Sequence, residues 1–285
     1  MILALTLNYR KPELTAACVR SMLREGCDKI LVWDNSDDGG HDAAWLTQVF
    51  AGDRRVEVLY SSCNLGFAAG VNAGLKHLMA SSSKQRVLLI NNDATLEQGA
   101  LLALTTAMDS PAQPVIVAPR IVQDGVEFGW MHYHRWLGLV LRRPWPGTMP
   151  YLSGCCLLVD TSRAGTPLLD EDFYMYGEDV ALSHRLQQAG LALILEPSAL
   201  VRHVGSAGSG AGSLFYEVQI VRSHLLLIEN LFSQADNSIT GRGVRWLALA
   251  LRWATLGLRA GWRSFRFRSL VPMRALTQLN VFRSL

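Results

Sequence analysis

Short apolar runs alternate along the chain with longer segments whose apolar positions recur at helical spacing. Ile2–Leu7, Lys29–Trp33, Val56–Tyr60 and Arg86–Ile90 read as strands, and Val115–Ala118 as a fifth. Between them Pro12–Leu23, His41–Phe50, Ala68–Met79 and Gln98–Met108 read as helices, with Pro12 suited to a first helical turn. Near-continuous apolar strands separated by helices predict βαβ units and an α/β fold, its mostly parallel sheet covered on both faces. Further on, Val180, Leu182 and Leu186 with Ala189 mark the apolar face of another helix, closed by Gly190. No repeat of solenoid length interrupts the pattern.

In such a sheet, ligands bind beyond the carboxyl ends of the strands. Those ends carry Asn8-Tyr9-Arg10, Asp34-Asn35-Ser36, Asn64-Leu65-Gly66 and Asn91-Asn92-Asp93. Any one set is an ordinary turn, because Asn, Asp, Ser and Gly satisfy turn backbones. Four in succession on one rim point to a site. Asp34 either closes an Asx-turn or accepts the N–H of a pyrimidine base. The stretch Asn64 to Asn72 resembles a phosphate loop, but its glycines are spaced four apart, unlike a dinucleotide fingerprint or a P-loop. Asp93 either caps the next helix, where Thr95 and Gln98 fit a capping box, or holds a divalent ion against a diphosphate.

Five carboxylates fall between Asp170 and Asp179, interleaved with Phe173, Tyr174 and Tyr176 and ended by the turn at Gly177. Glu178 and Asp179 in a first helical turn complement the helix dipole. Crowded carboxylates also raise one another's proton affinity, as a general base near neutral pH requires, and the aromatics beside them suit a pocket wall. That favours a functional Asp179.

Composition narrows the class without identifying it. The 285 residues suffice for one large domain and an appendage, and a net charge of +3 is too mild to indicate nucleic acid. Five cysteines show no zinc-type spacing, and Cys155-Cys156 sits in an apolar run as core. The opening apolar run is too short for a signal peptide and no apolar run reaches membrane-spanning length, so a cytosolic location is expected.

Taken together, Leu7-Asn8-Tyr9, Asp34-Asn35-Ser36, the Asn64 to Asn72 loop, Asn91-Asn92-Asp93, the Asp172 to Asp179 segment and His203-Val204-Gly205-Ser206 resemble glycosyltransferase family 2, the inverting group with a GT-A fold. Within it the pattern is most similar to the rhamnosyltransferase-like branch that builds surface polysaccharides. The resemblance implies a Rossmann-like catalytic domain over residues 1–235, with a nucleotide-sugar half (1–120) and an acceptor and catalytic half (121–235). It implies a nucleoside-diphosphate sugar donor, best matched by thymidine-diphosphate rhamnose, and a glycan or polyprenyl-linked acceptor. Donor-binding positions would be Asn8, Tyr9, Asp34, Asn35, Asn64, Gly66, Phe67, Asn72, Asn92 and Asp93. Asp93 and His203 would hold Mg2+ or Mn2+, Asp179 would be the base, and Glu178 would orient the site. Many relatives carry an acid where Asn91 stands, so weak, donor-dependent metal binding is expected. A sugar-nucleotide pyrophosphorylase is the alternative enzyme, but Asn8-Tyr9-Arg10-Lys11-Pro12 stands where its glycine-rich basic loop belongs. A non-catalytic membrane-bound scaffold is the other alternative.

Aromatics interleaved with His and Arg over Gly129 to Trp136 suit sugar stacking and phosphate contacts or, equally, packing on the domain. Trp130 and His132, with Tyr151 and Tyr176, are assigned to acceptor binding. The glycine-serine run Ser206 to Ser213 reads as a closing flap or a linker. In the tail, residues 236–285, Arg245, Arg252, Arg259 and Arg266 recur every seven residues among Trp246, Leu247, Leu249, Leu251, Trp253 and Leu256, with Arg263 on the same stripe. A basic amphipathic helix of this kind lies on the cytoplasmic face of a membrane as a peripheral anchor, or docks on the catalytic domain or a second copy.

Overall fold

Successive side chains of a strand point to opposite faces of a sheet, and here both faces are apolar. In β1 (Ile2–Asn8), Ala4 joins one core cluster while Leu3 and Leu5 join another. β2 (Lys29–Asp34) sends Ile30 and Val32 one way and Leu31 the other. The first cluster is covered by α1 (Pro12–Glu25) through Ala16, Val19 and Met22 and by Leu46 of α2 (His41–Val49). Beyond β3 (Val56–Tyr60), α3 (Phe67–Leu78) covers the second through Ala68, Val71 and Leu75. β4 (Arg86–Ile90) repeats the alternation, with Leu88 and Ile90 on one side and Val87 and Leu89 on the other.

The remaining elements are β5 (Ala94–Leu96), α4 (Ala100–Met108), β6 (Ile116–Gln123), β7 (Val126–Phe128), β8 (Trp130–His134), β9 (Leu139–Leu141), β10 (Thr148–Leu152), β11 (Cys156–Asp160), α5 (Thr161–Ala164), α6 (Glu178–Gln188), β12 (Leu193–His203) and α7 (Leu214–Leu231). The computed structural model describes residues 1–81, 86–205, 213–231, 243–244, 246–252 and 254. The run 206–212 and the tail positions Arg245, Trp253, Leu256, Arg259, Arg263 and Arg266 lie outside them. Among the described residues the main sheet has order β3-β2-β1-β4-β11-β6-β12-β5, with β7 paired to β6. Strands β1, β2, β3, β4, β6 and β12 run one way and β5, β7 and β11 against them, which is the mostly parallel α/β sheet the pattern predicted.

Two local expectations change. Thr95 does not open a capping box, because Ala94–Leu96 pairs with β12, Leu96 lying opposite Val201. Helix α4 is capped instead by Glu25 at the end of α1, whose carboxylate accepts the Gly99 and Leu101 N–H groups at 3.1 Å each. The glycines at spacing four are likewise packing positions. A Cβ on Gly70 would lie 2.7 Å from Leu7 Cδ2, and one on Gly74 2.6 Å from Leu5 Cδ1 and 2.9 Å from Cδ2. Every fourth residue forms one ridge of a helix, so this ridge lets α3 lie close against β1. Gly74→Ala is expected to destabilise the fold by ~1–3 kcal/mol through overpacking, read as a lowered midpoint in thermal denaturation.

Strands β10, β8 and β9 form a separate three-stranded sheet. Tyr133 and Tyr151 from it pack with Phe173, with Val180 and Ala181 of α6, and with Leu227 and Ile228 of α7. The chain divides into two compact units, Met1–Arg135 with Leu139–Ser233, and Trp136–Gly138 with Gln234–Leu285. The first contains the sheet and the site described next. No helix among the described residues is long and apolar enough to cross a membrane.

Candidate active site

The carboxyl ends of β1, β2 and β4, the Asn64–Phe67 turn, the β10–β11 bend, the start of α6 and the end of β12 open on one cleft. It encloses about 1340 Å³ including its solvent-filled mouth. Asn8, Tyr9, Asn35, Asn64, Gly66, Phe67, Asn92, Asp93, Tyr176, Glu178, Asp179 and His203 line it, so twelve positions singled out from the sequence converge.

Beneath this surface lies a closed polar network. The Asn8 amide nitrogen is 2.9 Å from Asp34 Oδ1, 3.0 Å from Ser36 Oγ and 3.0 Å from Asp42 Oδ2. Its carbonyl accepts the Thr15 hydroxyl at 2.6 Å, and Thr15 Oγ1 accepts the Asn92 amide at 3.0 Å. Asp34 also accepts the Ser36 hydroxyl and N–H, is 1% exposed, and does not line the cleft. Asn35 continues the scaffold, donating to the Gly66 carbonyl at 2.8 Å.

Gly66 is where the loop meets the acidic segment. Its φ of +84° with ψ of 179° is a conformation nearly restricted to glycine, and a Cβ there would lie 2.6 Å from the Tyr174 carbonyl oxygen. The next residue, Phe67, donates its N–H to that same carbonyl at 2.8 Å. Asn72 is a second fastener rather than a cleft residue: its amide donates to Leu169 O at 2.8 Å and Glu171 Oε1 at 2.9 Å, and its carbonyl accepts the Leu169 N–H at 3.0 Å.

Loop and acids are therefore held together before any ligand binds. Tyr176 (φ +68°) and Gly177 (φ +89°) turn the chain into α6, and the Ser223 hydroxyl of α7 binds the Met175 and Tyr176 carbonyls. The Tyr176 ring meets Tyr216 of α7 edge to face, centroids 5.2 Å apart.

Glu178 and Asp179 then project into the cleft from the first turn of α6. Asp179 accepts the Gly154 N–H at 3.0 Å and the Val180 N–H at 2.8 Å. Burial raises its proton affinity and these N–H groups pull it back. Glu178 is buried with one oxygen, Oε2, lacking a hydrogen-bond partner among the described residues. Burial, and then the neighbouring Asp179 charge, pushes its carboxyl up to about 8. Glu178 is thus the member of the pair that burial keeps protonated near neutral pH.

In the same cleft, Asp93 Oδ1 is 3.0 Å from His203 Nε2, while Gln123 Oε1 lies 3.1 Å from His203 Nδ1. Strand pairing sets this contact, since His203 lies opposite Ala94. Asn91 lines the cleft with its Oδ1 buried and unpartnered among the described residues. No cluster of three or more His, Cys, Asp or Glu side chains poised for a metal occurs among those residues. A carboxylate, an imidazole and an unsatisfied amide oxygen suit Mg2+ or Mn2+ only when further oxygens complete the set, as diphosphate does.

Three positions assigned to acceptor binding lie elsewhere. Tyr151 is 5% exposed in the core with Phe173, Trp130 packs on the main-sheet core beside Leu195, and His132 sits on β8 opposite Leu141. None lines the cleft; Tyr176 does. The sequence reading missed Lys11, Gln123, Gly154 and Tyr216, which do. The signal for Tyr216 was the Phe215-Tyr216 pair heading an apolar helical run.

The profile described as "Glycosyl transferase family 2" matches residues 4–163. The chain belongs to that family. The match ends before Glu178, Asp179 and His203, which the cleft itself adds. The N-acetylglucosaminyl-diphospho-decaprenol L-rhamnosyltransferase of Mycobacterium tuberculosis is 31% identical to this transferase, over 67% of this chain and 71% of that protein, in both the CDC 1551 / Oshkosh and the ATCC 25618 / H37Rv strains. Among solved structures, GalNAc-T7 with UDP, GalNAc and Mn2+ superposes with a TM-score of 0.62 at 14% identity, covering 79% of this chain and 48% of that one. S. aureus TarS 1-349 superposes with a TM-score of 0.53 at 13% identity, covering 86% and 69%. At these identities the two structures establish the GT-A fold.

Proposed function

We propose that this family 2 transferase moves a sugar from a nucleoside-diphosphate donor to an acceptor hydroxyl with inversion, and that the sugar is L-rhamnose from a thymidine-diphosphate donor. The observation that carries the chemistry is the convergence of Asp93 and Asp179 on one cleft. The rhamnose reading is supported by the mycobacterial relative. Asp179, aimed by two backbone N–H groups, takes the acceptor hydroxyl proton as that oxygen bonds the anomeric carbon. The bond to the diphosphate breaks on the opposite face and the nucleoside diphosphate carries away the electron pair, so a single displacement inverts the centre. Asp93 and His203, with Asn91 beside them, would hold a divalent cation, which when bound offsets charge on the departing diphosphate. Lys11 lines the same cleft and supplies a protein cation. The acceptor is read as a glycan on a polyprenyl lipid, and the tail as a peripheral anchor at the cytoplasmic membrane face.

The test is a panel of sugar nucleotides, scored first by thermal shift and then by transfer to a lipid-linked acceptor. Thymidine-diphosphate rhamnose is expected to stabilise the protein most, because a ligand that binds only the folded state shifts unfolding by mass action. A different nucleotide giving the largest shift and the transferred product would overturn the donor assignment. Calorimetric titration of Mn2+ into the protein alone is expected to show weak binding, strengthened by nucleoside diphosphate. Asn91→Asp should tighten the donor-free titration by adding an anionic ligand.

A further inference from the structure

Strand β9 is unusual for a sheet edge. Leu139 and Val140 are consecutive, so they point to opposite faces, yet both are exposed, Val140 by 50%. Arg142 and Arg143 follow at once, both exposed, and Trp145 is 59% exposed with its ring held edge-on to His134 at 6.0 Å. From residue 129 to 159 there is no Asp or Glu, while Arg135, Arg142 and Arg143 contribute positive charge. Water does not favour apolar side chains on both faces of one exposed ribbon.

We propose that the β9 ribbon and the turn after it dock on a lipid surface bearing anionic headgroups. Leu139 and Val140 enter the headgroup boundary, Trp145 takes the interfacial position its amphipathic ring favours, and Arg142 and Arg143 meet phosphates. A second copy of the chain fits less well. An isologous pairing would set this uniformly positive segment against itself, and a three-residue edge followed by Arg-Arg-Pro discourages strand addition. The consequence of this docking for transfer rests on the proposed function. Tyr133 and Tyr151 of the same small sheet pack on Phe173 and Val180, the segment that carries Glu178 and Asp179. A docked ribbon would therefore hold the acidic wall beside an acceptor carried in lipid.

The test uses the full chain with Cys63→Ser, since Cys63 is exposed and the other four cysteines are buried. Val140→Cys in that background carries an environment-sensitive fluorophore. Vesicles of phosphatidylcholine with phosphatidylglycerol should shift its emission to the blue, phosphatidylcholine alone should not, and added salt should reverse the shift. Arg142→Gln with Arg143→Gln should weaken the response on the order of 25-fold, about five-fold per arginine. The salt reversal, read on the protein with both arginines present, keeps the test valid should that pair of substitutions lower the melting temperature. Sedimentation with anionic vesicles while the emission stays unchanged would overturn the proposal and place the contact elsewhere. A blue shift that appears without lipid and grows with protein concentration would overturn it in favour of a second copy.

Discussion

Asp179→Asn is expected to lower sugar transfer by about 10²- to 10⁴-fold, the usual contribution of a positioned general base, while nucleoside-diphosphate binding survives. The reasoning begins with what holds the carboxylate. Its two oxygens accept the Gly154 and Val180 N–H groups, so the side chain is aimed before substrate arrives. An amide of the same shape keeps one of these bonds and turns an N–H toward the other donor, at a cost of ~1–3 kcal/mol in stability. Melting curves therefore accompany the kinetics, and a loss confined to kcat, with KM for the donor unchanged, separates lost chemistry from lost structure. The pH profile gives a second check. Burial raises Asp179 above the ordinary carboxylate range, so the wild-type rate should climb as pH rises through that ionisation. The residual rate of Asp179→Asn should stay flat over the same range. Near-normal transfer by this variant would remove Asp179 from the reaction.

The strands and helices were legible because apolar periodicity is a local property. Pro12 opens α1 by a backbone rule alone, whereas the end read at Leu23 runs on to Glu25 before Gly26 closes the helix at a φ of +89°. The acidic pair was legible because crowded carboxylates beside aromatics raise one another's proton affinity, although a first helical turn favours acids on structural grounds as well. What the sequence did not disclose was which partner each polar residue would take. Asn8, Asp34 and Asn72 are residue types that bind ligands and fasten loops equally well. Asp34 is spent on Asn8 and on the local turn with Ser36, and Asn72 on Leu169 and Glu171; apart from the Ser36 turn, these contacts lie at sequence separations that no local pattern encodes. The spacing of Gly66, Gly70 and Gly74 hid two jobs in one motif, a constrained turn and a helix ridge. Tyr151 illustrates the remaining ambiguity. Tyr151 and Leu152 are consecutive and point to opposite faces of β10, yet both are buried, Leu152 in the main-sheet core and Tyr151 against α6 and α7, so it is the packing around the strand and not its alternation that buries Tyr151.

Glu178→Gln should make the protein more stable in alkaline solution and leave it almost unchanged in acid. Burial and the Asp179 charge lift the folded-state Glu178 carboxyl from its ordinary 4.5 to about 8. Between those values the folded state holds a proton that the unfolded state has lost. Stability therefore falls as pH rises through the window, and the deficit persists above it. Gln resembles the protonated acid in shape and cannot ionise. The variant and the wild type should melt alike near pH 5 and diverge steadily toward pH 9, where the variant gains on the order of 4 kcal/mol. Melting temperature against pH for both proteins reads this directly, and parallel curves would mean that Glu178 is not held neutral. The same substitution bears on function. With Glu178 ionised, the cleft gains a further negative charge beside Asp179, a poor setting for a diphosphate. The wild-type KM for the donor should rise above pH 8 and that of Glu178→Gln should not, because a neutral side chain adds no charge beside Asp179.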